Sequence, residues 1–129
     1  MRIHKTCFST LCMLCMLASA SFAATISQSQ MRCGWFDNPT PGNAWLHDRD
    51  GEWTIAIQGN YEAEGDWPNF KDSQWVSVNR SYGYGCACIK ATVNPKTRQI
   101  VSISSAKARP LSVCRKDRTL QEPAALNSE

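Results

Sequence analysis

Along GEWTIAIQG the apolar side chains fall on alternate positions, with Trp53, Ile55 and Ile57 on one side and Thr54, Ala56 and Gln58 on the other. A period of two is that of a half-buried strand. The alternation recurs in QWVSVNR with Val76 and Val78, in CACIKATV with Ala87, Ile89, Ala91 and Val93, and in QIVSIS with Val101 and Ile103. Turn-forming residues at 48–51 predict a hairpin that folds 44–47 back onto the Trp53 strand. Asn94-Pro95, opening NPKTRQ, predicts a second hairpin between the last two strands. No stretch of a dozen residues carries a helical stripe with caps, so helix content is predicted to be low. The expected fold is mainly all-β: a small antiparallel β-sheet or flattened barrel with long loops at 37–43 and 60–73.

The ends read differently. MRIHKTCFSTLCMLCMLASASFAA has a basic start at Arg2 and Lys5, an apolar run over 11–17, and small residues up to Ala23. That is the layout of a secretory signal cleaved after Ala23. The apolar run is too short to span a bilayer, which takes about 20 residues. Cys7, Cys12 and Cys15 would leave with residues 1–23, and Leu14 before Cys15 argues against a lipid anchor. Residues 24–32 read as a polar leader, 33–120 as a single β-domain, and 121–129 as a flexible tail. The expected location is periplasmic or secreted, with no membrane span in the mature chain.

Removing the signal alters the charge balance. The whole chain carries 14 basic and 11 acidic residues, and losing Arg2 and Lys5 leaves 12 against 11. Such a chain is no polycation, and no nucleic-acid partner is expected. The charge is nonetheless uneven: residues 24–79 hold 3 basic and 8 acidic side chains, and 80–129 hold 9 and 3. Pairing of the two halves across one fold is the expected use, ahead of a basic surface for an anionic partner.

Four cysteines remain in the mature chain: Cys33, Cys86, Cys88 and Cys114. An even number in a small exported domain predicts two disulfides, each worth about 2–4 kcal/mol. Cys86 and Cys88 share a strand face opposite Ala87 and Ile89. Their Cα atoms would lie about 6.5 Å apart on an extended strand, with parallel side chains, which disfavours a local bridge. One is therefore expected to bind Cys33 and the other Cys114; which goes to which is left open. Four thiolates on zinc or copper, or a redox-active CxC, are weaker readings, because paired CxxC spacing is missing and His47 is the single histidine of the mature chain. No metal and no cofactor are expected.

Catalytic patterns are weak as well. HDRDG fails the calcium-loop template at Leu46 and Ile57. NRS at Asn79 matches a glycosylation acceptor only formally. A triad would have to be built on His47 with a hydroxyl and a carboxylate, and Glu62, Glu64 and Asp66 are paired acids of the kind glycoside hydrolysis uses, but read more simply as a solvated loop. No catalytic residue is assigned. All 5 tryptophans lie in the mature chain. Trp53 belongs to the core pattern, whereas Trp35 and Trp67 sit in polar, proline-bearing stretches. They either plug the ends of the domain or form a platform for a sugar ring or a protein. The glycines beside Tyr82 and Tyr84 suit close backbone approach or a bulge that would aim those rings outward. Candidate binding residues are thus Trp35, Trp67, Tyr82 and Tyr84.

The segments RCGWFDNPTPGNAWLHDRDGEWTI, YGYGCACIK and PLSVCRKDRTL together resemble a family of small exported bacterial proteins known only as a domain of unknown function. The resemblance covers residues 33–120. It implies location and cysteine number, and it lends no catalytic residue. The leading expectation is a non-catalytic periplasmic binding protein, an inhibitor or immunity-like partner of a cell-wall-active protein. A glycan- or peptidoglycan-binding module is the second, and a metal or redox protein using the CxC the third.

Overall fold

The computed structural model of the protein describes residues 28–123. The expected signal with its cleavage site and three cysteines, and most of the expected tail, lie outside the described residues. Both predicted hairpins form. Strand β2 (Asn43–Asp48) returns onto β3 (Gly51–Ile57), and β6 (Tyr82–Asn94) onto β7 (Gln99–Arg109). Each turn is held by a side-chain oxygen facing backbone N–H groups. Asp48 Oδ1 accepts from Asp50 N at 2.8 Å, and Asn94 Oδ1 accepts from Lys96 N at 3.0 Å.

Strand β1 (Gln30–Thr40) departs from the sequence reading at both ends. It takes in Gln30, Met31 and Arg32 of the expected leader, and it replaces most of the expected loop at 37–43 with paired backbone. It lies between β2 and β6. Its composition conceals this, yet each unfavourable residue has a place. A Cβ at Gly34 would lie 2.1 Å from the His47 carbonyl oxygen, so only glycine allows β2 so close. Pro39 lies past the last β6 pair, Asn38↔Gly83, and inside the irregularity of the β2 ladder, where no N–H is demanded.

The other elements are β4 (Tyr61–Glu62), a 3₁₀ turn (Asp72–Gln74), β5 (Trp75–Asn79) and helix α1 (Leu111–Lys116). The 60–73 region is a loop apart from β4 and the start of the 3₁₀ turn. All but one of the strand pairings are antiparallel. The exception is a parallel contact of β3 with β7 at Thr54↔Gln99, and it completes a ring β1-β2-β3-β7-β6 that returns to β1. Residues after β4 help close it, with Glu64 N donating to Val101 O and Ile103 N to Glu64 O. Strand β5 sits outside the ring, beside the first residues of β6.

The ring encloses the main core: Phe36, Leu46, Trp53, Ile55, Ile89, Val93, Ile100 and several alanines. Arg32 Nη1 meets Asp48 Oδ2 at 2.6 Å beside the 48–51 turn, and its guanidinium lies 4.0 Å from the Trp53 ring centroid. Arg98 lies 3.8 Å from the same centroid and donates to the Asp50 carbonyl at 2.7 Å. These groups cover Trp53, the one large core ring next to that turn.

A second, smaller core lies on the outer face of β1 and β6. Trp35, Tyr84, Cys86 and Cys114 form it, under Val76, Leu111 and Leu120. The disulfides are Cys33–Cys88 and Cys86–Cys114, so the cysteines of the pair staple separate segments as expected. The expected pairing of an acidic first half with a basic second half is not found among the described residues. Arg32 pairs with Asp48 and Asp50, and Arg115 with Glu122, each within its own half.

Candidate functional site

Trp35 and Tyr84 do not form a binding platform. Trp35 is 0 % exposed and Tyr84 2 %, and their rings meet edge to face at 5.4 Å. Tyr84 lies on the outer face with Cys86, two residues on along the strand, but α1 and the segment after it cover that face. Tyr84 Oη donates to Glu122 Oε1 at 2.9 Å, and Arg115 Nη2 donates to the same oxygen at 2.9 Å. Glu122, placed in the tail by the sequence reading, is therefore held. Burial, reinforced by the bond to Glu122, pushes the Tyr84 hydroxyl up to about 12. Tyr82 is half-buried beside the β5–β6 turn.

Trp67 does line an open groove. The 66–74 segment brings Trp67 to 5.5 Å and Phe70 to 5.7 Å from Phe36, and Phe70 to 4.9 Å from Trp75, between ring centroids. These rings border a hollow of about 410 Å³ whose polar lining includes Asn38, Asp72, Ser77 and Ser81. Phe70 rests on bare backbone: a Cβ at Gly85 would lie 2.4 Å from its Cε1 atom. Trp75 is oriented by its indole N–H, which donates to the Ser81 carbonyl at 3.1 Å. Asn38 is pinned through Nδ2 to the carbonyls of Asn43 at 2.6 Å and Thr40 at 2.8 Å, so its Oδ1 is oriented in advance. Trp67 also lines a second hollow of about 380 Å³, bordered by Gln58, Asn60, Tyr61 and Glu62.

Of the four rings sequence reasoning named, one thus lies at the groove, and Phe36, Phe70 and Trp75 were missed. A signal for Trp75 existed, since the alternation that puts Val76 and Val78 on one face puts Trp75 and Ser77 on the other. Phe36 and Phe70 carried none, because their partners come from distant segments.

Each hollow is lined by one carboxylate, Asp72 or Glu62, whereas acid–base cleavage of a glycoside uses two in one site. His47 turns Nε2 toward Asp37 at 3.4 Å, and the exposed Glu52 carboxylate lies 3.7 Å from its Nδ1. Among the described residues no group of three or more His, Cys, Asp or Glu side chains is placed to hold a metal. No helix among them is long and apolar enough to cross a membrane.

No curated protein and no solved structure matches the chain significantly. A family profile matches residues 27–121, which spans all seven strands, α1 and the four bridging cysteines. The chain therefore belongs to the family described as protein of unknown function (DUF4087).

Proposed function

We propose that this protein is a non-catalytic binding protein of an extracytoplasmic compartment, and that its ligand is a saccharide of the cell-wall type held in the aromatic groove. The observation that carries the reading is the hollow bordered by the part-exposed rings of Trp67, Phe70 and Trp75 over buried Phe36, with the Asn38 amide oriented at its edge. Sugar rings offer flat C–H faces to aromatic rings and hydroxyls to amides and carboxylates, and ligand sites combine the same two elements. Trp67 lines two hollows, which suits a chain of at least two sugar units. Two disulfides are the ordinary equipment of an oxidising compartment.

An inhibitor or immunity-like role toward a cell-wall-active protein is the competing reading. Titration of intrinsic fluorescence with N-acetylglucosamine oligomers and peptidoglycan fragments separates the two. A saturable change is expected, and Trp75→Ala or Trp67→Ala should weaken binding about tenfold, roughly 1.4 kcal/mol. No response up to millimolar sugar, together with one specific protein recovered from the periplasm, would move the assignment to the protein partner.

A further inference from the structure

The two disulfides occupy opposite environments. Cys86 and Cys114 are 1 % and 2 % exposed, enclosed with Trp35 and Tyr84 beneath α1. Cys33 is exposed and Cys88 half-buried, on the outer surface of the β1–β6 pair. The two are direct register partners within a ladder of nine residue pairs from Gln30↔Ala91 to Asn38↔Gly83. The strands are joined by that ladder whether or not the sulfurs are bonded. Cys33–Cys88 therefore duplicates a connection the backbone already makes, whereas Cys86–Cys114 is the covalent tie between α1 and the sheet.

The charge on the strands beside Cys88 is of one sign, whereas that beside Cys33 is mixed. Strands β6 and β7 contain Lys90, Lys107 and Arg109 and no Asp or Glu. Lys107 is the register partner of Cys88, and Lys90 follows Cys88 by two residues on the same face. Neither lysine is ion-paired to a described carboxylate. A hollow of about 290 Å³ opens beside Cys33, bordered by Met31, by Arg32 and Arg49, and by Asp48, Asp50 and Asp117. The exposed sulfur thus has room beside it, and the less exposed sulfur has cations beside it. Exchange needs both: access at the attacked sulfur and a stabilised thiolate at the leaving one.

We propose that Cys33–Cys88 is a thiol-exchange site that opens on reaction with a dithiol while Cys86–Cys114 stays closed. One thiolate of the dithiol attacks Cys33 Sγ and forms a mixed disulfide. The Sγ–Sγ bond breaks and its electron pair goes to Cys88 Sγ, which leaves as a thiolate beside Lys107 and Lys90. The second thiolate of the donor then attacks the donor sulfur of the mixed disulfide and expels the Cys33 thiolate. The protein gains two electrons and, on protonation, two protons, and the donor ends as a disulfide. This site is independent of the saccharide groove.

The test uses the native oxidised chain and limiting dithiothreitol, with timed alkylation and peptide mapping by mass spectrometry. Cys33 and Cys88 should be labelled at least about tenfold faster than Cys86 and Cys114, while near-ultraviolet circular dichroism stays native. With glutathione in place of the dithiol, the adduct should appear on Cys33. Lys107 is exposed, so Lys107→Glu should fold normally and slow the opening about three- to tenfold. Equal labelling of all four cysteines, an adduct on Cys88, or an unchanged rate in Lys107→Glu would each overturn the proposal.

Discussion

Asp48 is the buried charged side chain of the ring, and three neighbours account for its carboxylate. Arg32 supplies the cation, and the Trp53 indole and the Asp50 backbone N–H donate to Oδ1. Removing one member of a buried pair costs more than the pair contributes, because the other charge is left without a partner. Arg32→Ala is therefore expected to destabilise by about 3 kcal/mol in urea titrations. Asp50→Ala, which removes the half-exposed second partner of Arg32, should cost under about 1 kcal/mol. At this scale the sequence was readable where the partners are local. The turn role of 48–51 and the core position of Trp53 follow from neighbours within a few residues. Trp35 and Tyr84 were not readable, because what buries them arrives from residues 111–122, far along the chain.

Strands with simple alternation formed, but alternation alone did not fix which residues are buried: on β7, across the register shifts of its ladder with β6, the core takes Ile100 and Ile103 and leaves Val101 half-buried. Ile89 on β6 is 0 % exposed in the ring core, whereas Val78 on β5, given the same weight by alternation, is 50 % exposed. Ile89→Ala should cost about 2–5 kcal/mol by loss of contacts and an unfilled cavity, and Val78→Ala under about 0.5 kcal/mol. Equal effects in urea melts would mean that β5 is covered. Strand β1 shows why the remaining element escaped detection. Its stretch CGWFDNP lacks β-branched residues, so it reads as loop, yet it pairs on both edges. Strand propensity reflects fit to neighbours more than the backbone's own preference, and here the neighbours require glycine at 34 and tolerate proline at 39. The parallel β3–β7 contact was equally hidden, since no local pattern marks where a sheet meets itself.

For the whole molecule, the segment beyond α1 acts as a strap across the outer core. It is tied by Cys86–Cys114 and by the Tyr84–Glu122–Arg115 bonds. The bonds from Arg115 hold the Glu122 carboxyl below its ordinary 4.5. Its contribution is present above that value and is lost as pH falls through the depressed one. Tyr84 works in the opposite sense: burial favours the neutral hydroxyl, so its contribution is complete below pH 10 and is lost as pH rises toward about 12. Stability should therefore be flat from about pH 5 to 10 and fall on both sides. Glu122→Gln should flatten the acid limb and lower the Tyr84 transition in an ultraviolet titration. A tyrosine transition that does not move would show the strap to be loose. By itself the sequence determined the strand-rich class, two hairpins and the segments that the cysteines join, because each of these rests on alternation, turn chemistry or the number and spacing of sulfurs within short reach. Tertiary structure alone decided the central place of β1, the closure of the ring, the burial of Trp35 and Tyr84, and the grouping of Phe36, Trp67, Phe70 and Trp75. Those depend on contacts between segments far apart in the chain, whose approach is set by the packing of the whole and by no local preference.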